Sequence, residues 1–143
     1  MKPKPTPARQ LLKLCCRALE GKKAGDLRVL DVRELSSITD YMVLATGTSE
    51  PHLRALRMEL ERELDSDGVR LVGLETSREG GWTVVDAFDV MVHLFSPETR
   101  DRYGLENLWK DAVTIPVGDL LAVPRKRTAG PRTGMPTSRR RAG

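Results

Sequence analysis

Apolar residues recur at helical spacing over residues 8–20, where Ala8, Leu11, Leu12, Cys15, Ala18 and Leu19 share one side. Gly21 and Gly25 close that stretch. Leu27 to Val32 reads as a short strand, and Ser36-Ser37-Ile38-Thr39-Asp40 as a connector of turn formers. Tyr41 to Thr46 is nearly all apolar, the pattern of a strand covered on both faces. Ser49 then stands where a helix N-cap belongs, with Glu50 and Pro51 in the first turn. Leu53, Leu56, Leu60 and Leu64 form that helix's stripe, and Asp67-Gly68 ends it.

Val69 to Leu74 reads as a further strand, which makes a strand–helix–strand unit of residues 41–74. If its two strands are parallel neighbours, the crossover is right-handed. Trp82 to Asp86 and Val90 to Phe95 alternate as strands around Ala87-Phe88-Asp89, a separation that suits a tight hairpin. Pro97 opens a helical stretch reaching Trp109. Beyond it the apolar positions weaken to an extended pattern over residues 114–123. The elements predict an α/β domain over residues 8–113: a mixed sheet of about five strands with helices packed on it. The proline-rich residues 1–7 read as a loose arm, and residues 124–143, without apolar periodicity, as a disordered tail.

Charge sharpens this division. Residues 114–143 carry seven Lys or Arg and one Asp, whereas residues 1–113 carry 17 basic and 19 acidic side chains. The overall charge of +4 therefore belongs to the tail, and the folded part presents no basic footprint for reading nucleic acid. No apolar run approaches the ~18 residues of a membrane span. Lys13 and Arg17 break the first apolar segment, so it is no signal-peptide core, and a cytoplasmic location is expected. The two cysteines, Cys15 and Cys16, are adjacent; they suit neither a mutual disulfide nor a zinc site.

Thr46-Gly47-Thr48-Ser49 lies between strand and helix, where many proteins seat a phosphate. One glycine and no lysine make that signal weak. A metal-dependent nucleotidyltransferase would add two carboxylates at alternate positions of a neighbouring strand. Asp86 and Asp89 are three apart across a turn and cannot share a strand face, and Val90 to Phe95 holds no acid. The competing reading is a tight joint before a capped helix. His52, in the first helical turn, is expected to be solvated, and His93, alternating with Met91 and Phe95, to be a hydrogen-bonded structural histidine. No catalytic, metal or cofactor set emerges.

The aromatic residues are the unusual feature. Five of the six, Trp82, Phe88, Phe95, Tyr103 and Trp109, fall within 28 positions, and only Tyr41 lies outside. Tryptophan and tyrosine dominate binding hot spots; a second core cluster between hairpin and helix is the alternative.

Three segments have familiar wording. They are Ser36-Ser37-Ile38-Thr39-Asp40-Tyr41 with Ala45-Thr46-Gly47-Thr48-Ser49, then Trp82-Thr83-Val84-Val85-Asp86 with Asp89-Val90-Met91-Val92-His93-Leu94-Phe95, and Arg102-Tyr103-Gly104-Leu105-Glu106-Asn107-Leu108-Trp109. Together, across about Leu11 to Asp111, they resemble the Iojap-like ribosomal silencing factor family, RsfS. The resemblance implies a non-enzyme with a nucleotidyltransferase-like architecture lacking the catalytic carboxylates. It also implies binding to ribosomal protein L-fourteen of the large subunit, a block on subunit joining when nutrients run short, and a homodimer. Carried over by position, Trp82, Asp86, His93 and Tyr103 match residues tied to the partner surface, and Glu106 and Trp109 match the final motif.

The chain departs from that pattern in three places. The family commonly has Asp, a bulky apolar residue, Gly and Asp at the hairpin turn; here Asp86-Ala87-Phe88-Asp89 stands, with Phe88 in the bulky role one position along. Thr76, not Gly, follows Glu75. The Arg-rich tail falls outside the resemblance, and its functional reading is salt-sensitive attraction to ribosomal RNA. The resemblance thus makes Trp82, Asp86, Ala87, Phe88, His93, Tyr103, Glu106 and Trp109 the expected partner-binding set.

Overall fold

The computed structural model describes residues 8–121. Two helices and two strands open the chain: α1 (Ala8–Gly21), β1 (Gly25–Asp31), β2 (Tyr41–Thr46) and α2 (Glu50–Ser66). Then come β3 (Gly73–Thr76), β4 (Trp82–Asp86), β5 (Val90–Phe95), α3 (Pro97–Tyr103), α4 (Leu105–Leu108), β6 (Val113–Ile115) and α5 (Val117–Leu121). The strands form one mixed sheet in the order β3-β4-β5-β2-β1-β6. It has six strands rather than five, because Val113–Ile115 adds to β1 as an edge.

β2 lies inside the sheet, parallel to β5 and antiparallel to β1, and its first five residues are buried. This accounts for its apolar run. The parallel neighbour of β2 is therefore β5, and β3 lies at the far edge, antiparallel to β4. The 41–74 unit thus does not bring its two strands side by side. The third strand also starts later than its apolar run. Val69 donates its N–H to Leu64 O at the end of α2, and Val69 and Leu71 pack on the core instead of pairing. The hairpin of β4 and β5 forms as expected, with Trp82 opposite Phe95 and Val84 opposite His93.

The α2 helix shows what drives the layer. Ser49 Oγ accepts the His52 N–H, and Leu53, Leu56, Leu60 and Leu64 are buried. Each leucine contributes about 1.5–3 kcal/mol on burial. The Arg57–Glu61 pair contributes only ~0.2–0.5 kcal/mol, so the stripe decides the docking. His52 is not free in solvent: Nδ1 accepts the Thr48 N–H and Nε2 bonds Lys22 O, tying α2 to the end of α1.

The sheet's two faces are covered unequally. Val29, Val43, Ala45, Val85, Val92 and Leu94 pack in one large cluster with α1, α2 and α5 residues. Cys15 and Cys16 are buried there, and burial pushes both thiols up, Cys16 to about 12, so neither is a nucleophile. The opposite face holds a smaller cluster of Leu30, Val32, Met42, Leu44 and Phe95, against which Trp82, Met91, Trp109 and Ala112 pack. The helical stretch from Pro97 breaks at Gly104, which takes φ 55° and divides α3 from α4. Residues 117–121, read as extended, are helical; Leu120 is buried and α5 packs on α1. The basic tail and the N-terminal arm lie outside the described residues. Among those residues no helix is long and apolar enough to cross a membrane.

Candidate partner-binding face

The turn after β2 serves packing. The Gly47 N–H donates to Phe95 O at 2.8 Å, the Thr48 N–H goes to His52 and the His52 N–H to Ser49. The Glu50 carboxylate lies at the same helix end and accepts the Gly81 N–H at 2.9 Å. Three of the backbone donors an anion would use, on Gly47, Thr48 and His52, are engaged, and a carboxylate already sits beside them. A Cβ on Gly47 would lie 2.7 Å from Leu53 Cδ2, so glycine is there to let α2 approach the strand end.

The less covered face of the sheet is different. Trp82, Val84 and Asp86 of β4 and Met91, His93 and Phe95 of β5 alternate onto it, in register. The Trp82 ring lies 4.7 Å from Tyr103, 5.3 Å from Phe95 and 6.0 Å from His93, with the His93 and Phe95 rings stacked at 5.8 Å. Phe95 is fully buried, Trp82 half-buried, and Tyr103 49% exposed. The cluster therefore grades from core to surface, which joins both readings of the aromatic crowding. Around it lies a depression of about 400 Å³, floored by Met42, Met91 and His93 and rimmed by Ile38, Tyr103 and Trp109.

Trp82 Nε1–H donates to His93 Nδ1 at 3.1 Å. An imidazole that accepts at Nδ1 carries its proton on Nε2 when neutral. Burial pushes the His93 pKa down to about 4, so the ring stays neutral at physiological pH. Its Nε2 is buried without a hydrogen-bond partner among the described residues.

The remaining expected residues divide. Phe88 is 67% exposed at the hairpin turn, where it takes φ 74°, a conformation that glycine adopts without cost. Asp86 Oδ1 accepts the Phe88 N–H at 2.9 Å and fixes that shape. Ala87 is buried in the large cluster and offers no contact surface, because its N–H closes the turn onto Val90 O and its methyl faces inward. Glu106 is no free charge. Both its oxygens accept from Arg100, at 3.2 and 2.9 Å, and Arg28 lies 3.5 Å away. Arg100, 7% exposed, also donates to Asp26 O and Thr46 Oγ1, so the pair anchors α3 and α4 to the sheet. Trp109 is half-buried and packs on the smaller cluster.

Sequence reasoning missed Ile38, Met42 and Met91 as parts of this surface. Ile38 left a trace: it is the one apolar residue in a polar connector, and it is 69% exposed. Its loop is held by Ser36 Oγ, which accepts the Ile38 and Thr39 N–H groups.

The model of the family described as "Ribosomal silencing factor during starvation" matches residues 5–141. The chain belongs to the RsfS family. The match runs past Asp111 into the basic tail, farther than the three motifs reach. The ribosomal silencing factor RsfS of Bacillus subtilis is 34% identical over 112 residues, 78% of this chain and 92% of that protein. The RsfS of Chromobacterium violaceum is 40% identical over 100 residues, 70% and 82% of the two chains. A crystal structure of a Chromobacterium violaceum protein superposes with a TM-score of 0.69 at 39% identity, covering 72% of this chain and 86% of that one. RsfS membership places the protein among ribosome-associated silencing factors.

Proposed function

We propose that the protein silences translation by steric exclusion. The face bearing Trp82, His93, Tyr103 and Trp109 docks on ribosomal protein L-fourteen of the large subunit, so that the small subunit cannot join. The observation that carries this reading is the unequal cover of the sheet. One face is sealed by three helices, while the other leaves an aromatic-lined depression with Ile38 and Tyr103 exposed at its rim. Such a rigid, partly desolvated aromatic surface is what hot spots are made of. No step of this function makes or breaks a covalent bond. The protein acts in the cytoplasm when nutrients are limiting, forms a homodimer, and adds a weak, salt-sensitive contact to ribosomal RNA through residues 124–143.

Pelleting the purified protein through sucrose with isolated large or small subunits tests this reading. Wild type is expected with the large subunit alone. Ile38→Ala and Tyr103→Ala, both on exposed side chains, should each weaken binding about 5- to 30-fold, or ~1–2 kcal/mol, with little change in Tm. Trp82→Ala is a poorer probe than its aromatic character promised. Trp82 packs on Phe95 in the smaller core cluster, so truncation also costs stability. Unchanged binding of the Ile38→Ala/Tyr103→Ala double variant would rule this surface out. A melting shift with magnesium and nucleoside triphosphates, without subunit binding, would favour a nucleotidyltransferase instead.

A further inference from the structure

The depression beside Trp82 is apolar, yet its floor contains one polar hydrogen. His93 is 6% exposed and its Nδ1 is committed to Trp82, so its proton lies on Nε2, which has no partner among the described residues. A buried donor left unpaired is costly, and structures rarely keep one without a use. Nothing local relieves it. Besides His93 and Trp82, the polar side chains lining the depression are Ser36, Thr39 and Tyr103; Ser36 Oγ accepts the Ile38 and Thr39 N–H groups, Thr39 Oγ1 donates to Tyr41 O, and none of the three bonds Nε2.

Resting on the docking reading above, we propose that His93 Nε2–H is a specificity donor held for the partner. The docked segment fills the depression with an aliphatic side chain. The same segment brings an uncharged oxygen acceptor, a main-chain carbonyl or a side-chain amide, onto Nε2. The acceptor is uncharged because the ring is neutral and the walls are apolar. A carboxylate would lose its water there and gain no cation in return. Protonating the ring to supply one would set an Nδ1–H against the Trp82 Nε1–H, two donors face to face. Because Nε2 is covered in the free protein, a rim side chain must turn aside as the partner seats. Tyr103 is placed for this: it is half-exposed and directly precedes the left-handed Gly104. The device favours a partner that carries the acceptor over one that seats without it, since only the first relieves a donor that is unpaired in the free protein.

The test is affinity for purified large subunits, with Tm measured beside it. His93→Phe keeps the ring and removes the donor; it should bind at least about tenfold more weakly. His93→Asn keeps an acceptor near Trp82 but ends short of the Nε2 position, and should bind as weakly. His93→Gln places an amide N–H near that position and should recover most of the affinity. A structural role alone would lower Tm in all three and leave the affinity of the folded protein unchanged. If His93→Phe does not fold, the Asn and Gln pair still decides. Equal, wild-type-like binding by Asn and Gln overturns the proposal. Wild-type affinity should stay flat between pH 8 and 6 relative to His93→Gln. A rise toward pH 6 would mark a carboxylate acceptor drawing a proton onto the ring and overturn the uncharged assignment. Among the described residues, Tyr103 is the one other titratable side chain lining the depression. Failure of wild type to bind large subunits sinks the docking reading as well. Failure confined to the His93 series, with Tyr103→Ala still weakened, sinks this inference alone.

Discussion

Gly47→Ala separates a packing joint from an anion loop. Gly47 is buried, and its φ lies outside the left-handed range, so alanine is excluded by space and not by backbone conformation. The added methyl would stand 2.7 Å from Leu53 Cδ2, 2.9 Å from Leu53 Cγ and 3.2 Å from Leu53 N. Comfortable carbon contacts lie near 3.5–4.0 Å, so α2 or the strand end must shift by up to about 1 Å. Leu53 is 4% exposed and cannot swing into solvent without opening the core. The Gly47 N–H bond to Phe95 O holds the other side. Overpacking of this kind costs roughly 1–3 kcal/mol. At about 3–5 °C per kcal/mol for a domain of this size, Tm should fall by ~3–15 °C.

The cause is checked by a double-mutant cycle. Leu53→Ala alone opens a cavity and costs about 2–5 kcal/mol. Combined with Gly47→Ala it also removes the clash, so the pair should be at least ~1 kcal/mol more stable than the sum of the singles. Large-subunit binding by the folded variant, measured well below its Tm, should stay within about threefold of wild type, since Gly47 does not line the depression. An unchanged Tm together with loss of a nucleotide-induced melting shift would refute the packing argument and restore the anion loop. Simple additivity in the cycle would refute the assigned contact.

Two further outcomes follow from individual residues. Phe88→Gly relieves a phenylalanine at φ 74° and should stabilise the free protein by about 0.5–1 kcal/mol, read as a higher urea midpoint, while weakening large-subunit binding; no gain in midpoint would mean the turn is unstrained. His93 has a folded pKa near 4 against 6.5 unfolded, so the unfolded chain takes up the extra proton. The stability this contributes, roughly 3 kcal/mol, is whole above pH 6.5 and is lost as pH falls toward 4. Urea titrations between pH 7 and 4.5 should show that slope, and His93→Phe should flatten it. Asp31, which the Arg33 hydrogen bond holds low, adds its loss only below its ordinary 3.8.

Local patterns carried as far as local physics does. The buried run of β2, the cap and stripe of α2, and the hairpin strands are each written in a few consecutive residues, and they stand where the periodicity put them. What was not legible depends on pairing across long separations. Val69 to Leu71 has strand composition, but its N-terminal N–H is drawn back to α2, and only the finished sheet shows β3 at the edge. Val117 to Leu121 is too short to show a helical period, and burial of Leu120 under α1 decides it.

Charge was the least legible property of the candidate face. Glu106 belonged to the expected partner-binding set, yet Arg100, which lies outside the three motifs, binds both its oxygens. That pairing changes how the face must work. Of the two acids in the expected set, Glu106 is neutralised internally and Asp86 spends one oxygen on the Phe88 N–H. Charge complementarity then steers the encounter only weakly. On the proposed docking, discrimination falls on shape and on desolvated contacts: Ile38 and Tyr103 at the rim, Met91 beneath, and one imidazole N–H at the floor. Such a surface should bind its partner with little salt dependence once residues 124–143 are removed. A strongly salt-dependent affinity in the 1–123 fragment would mean that acids on this face still carry the interaction.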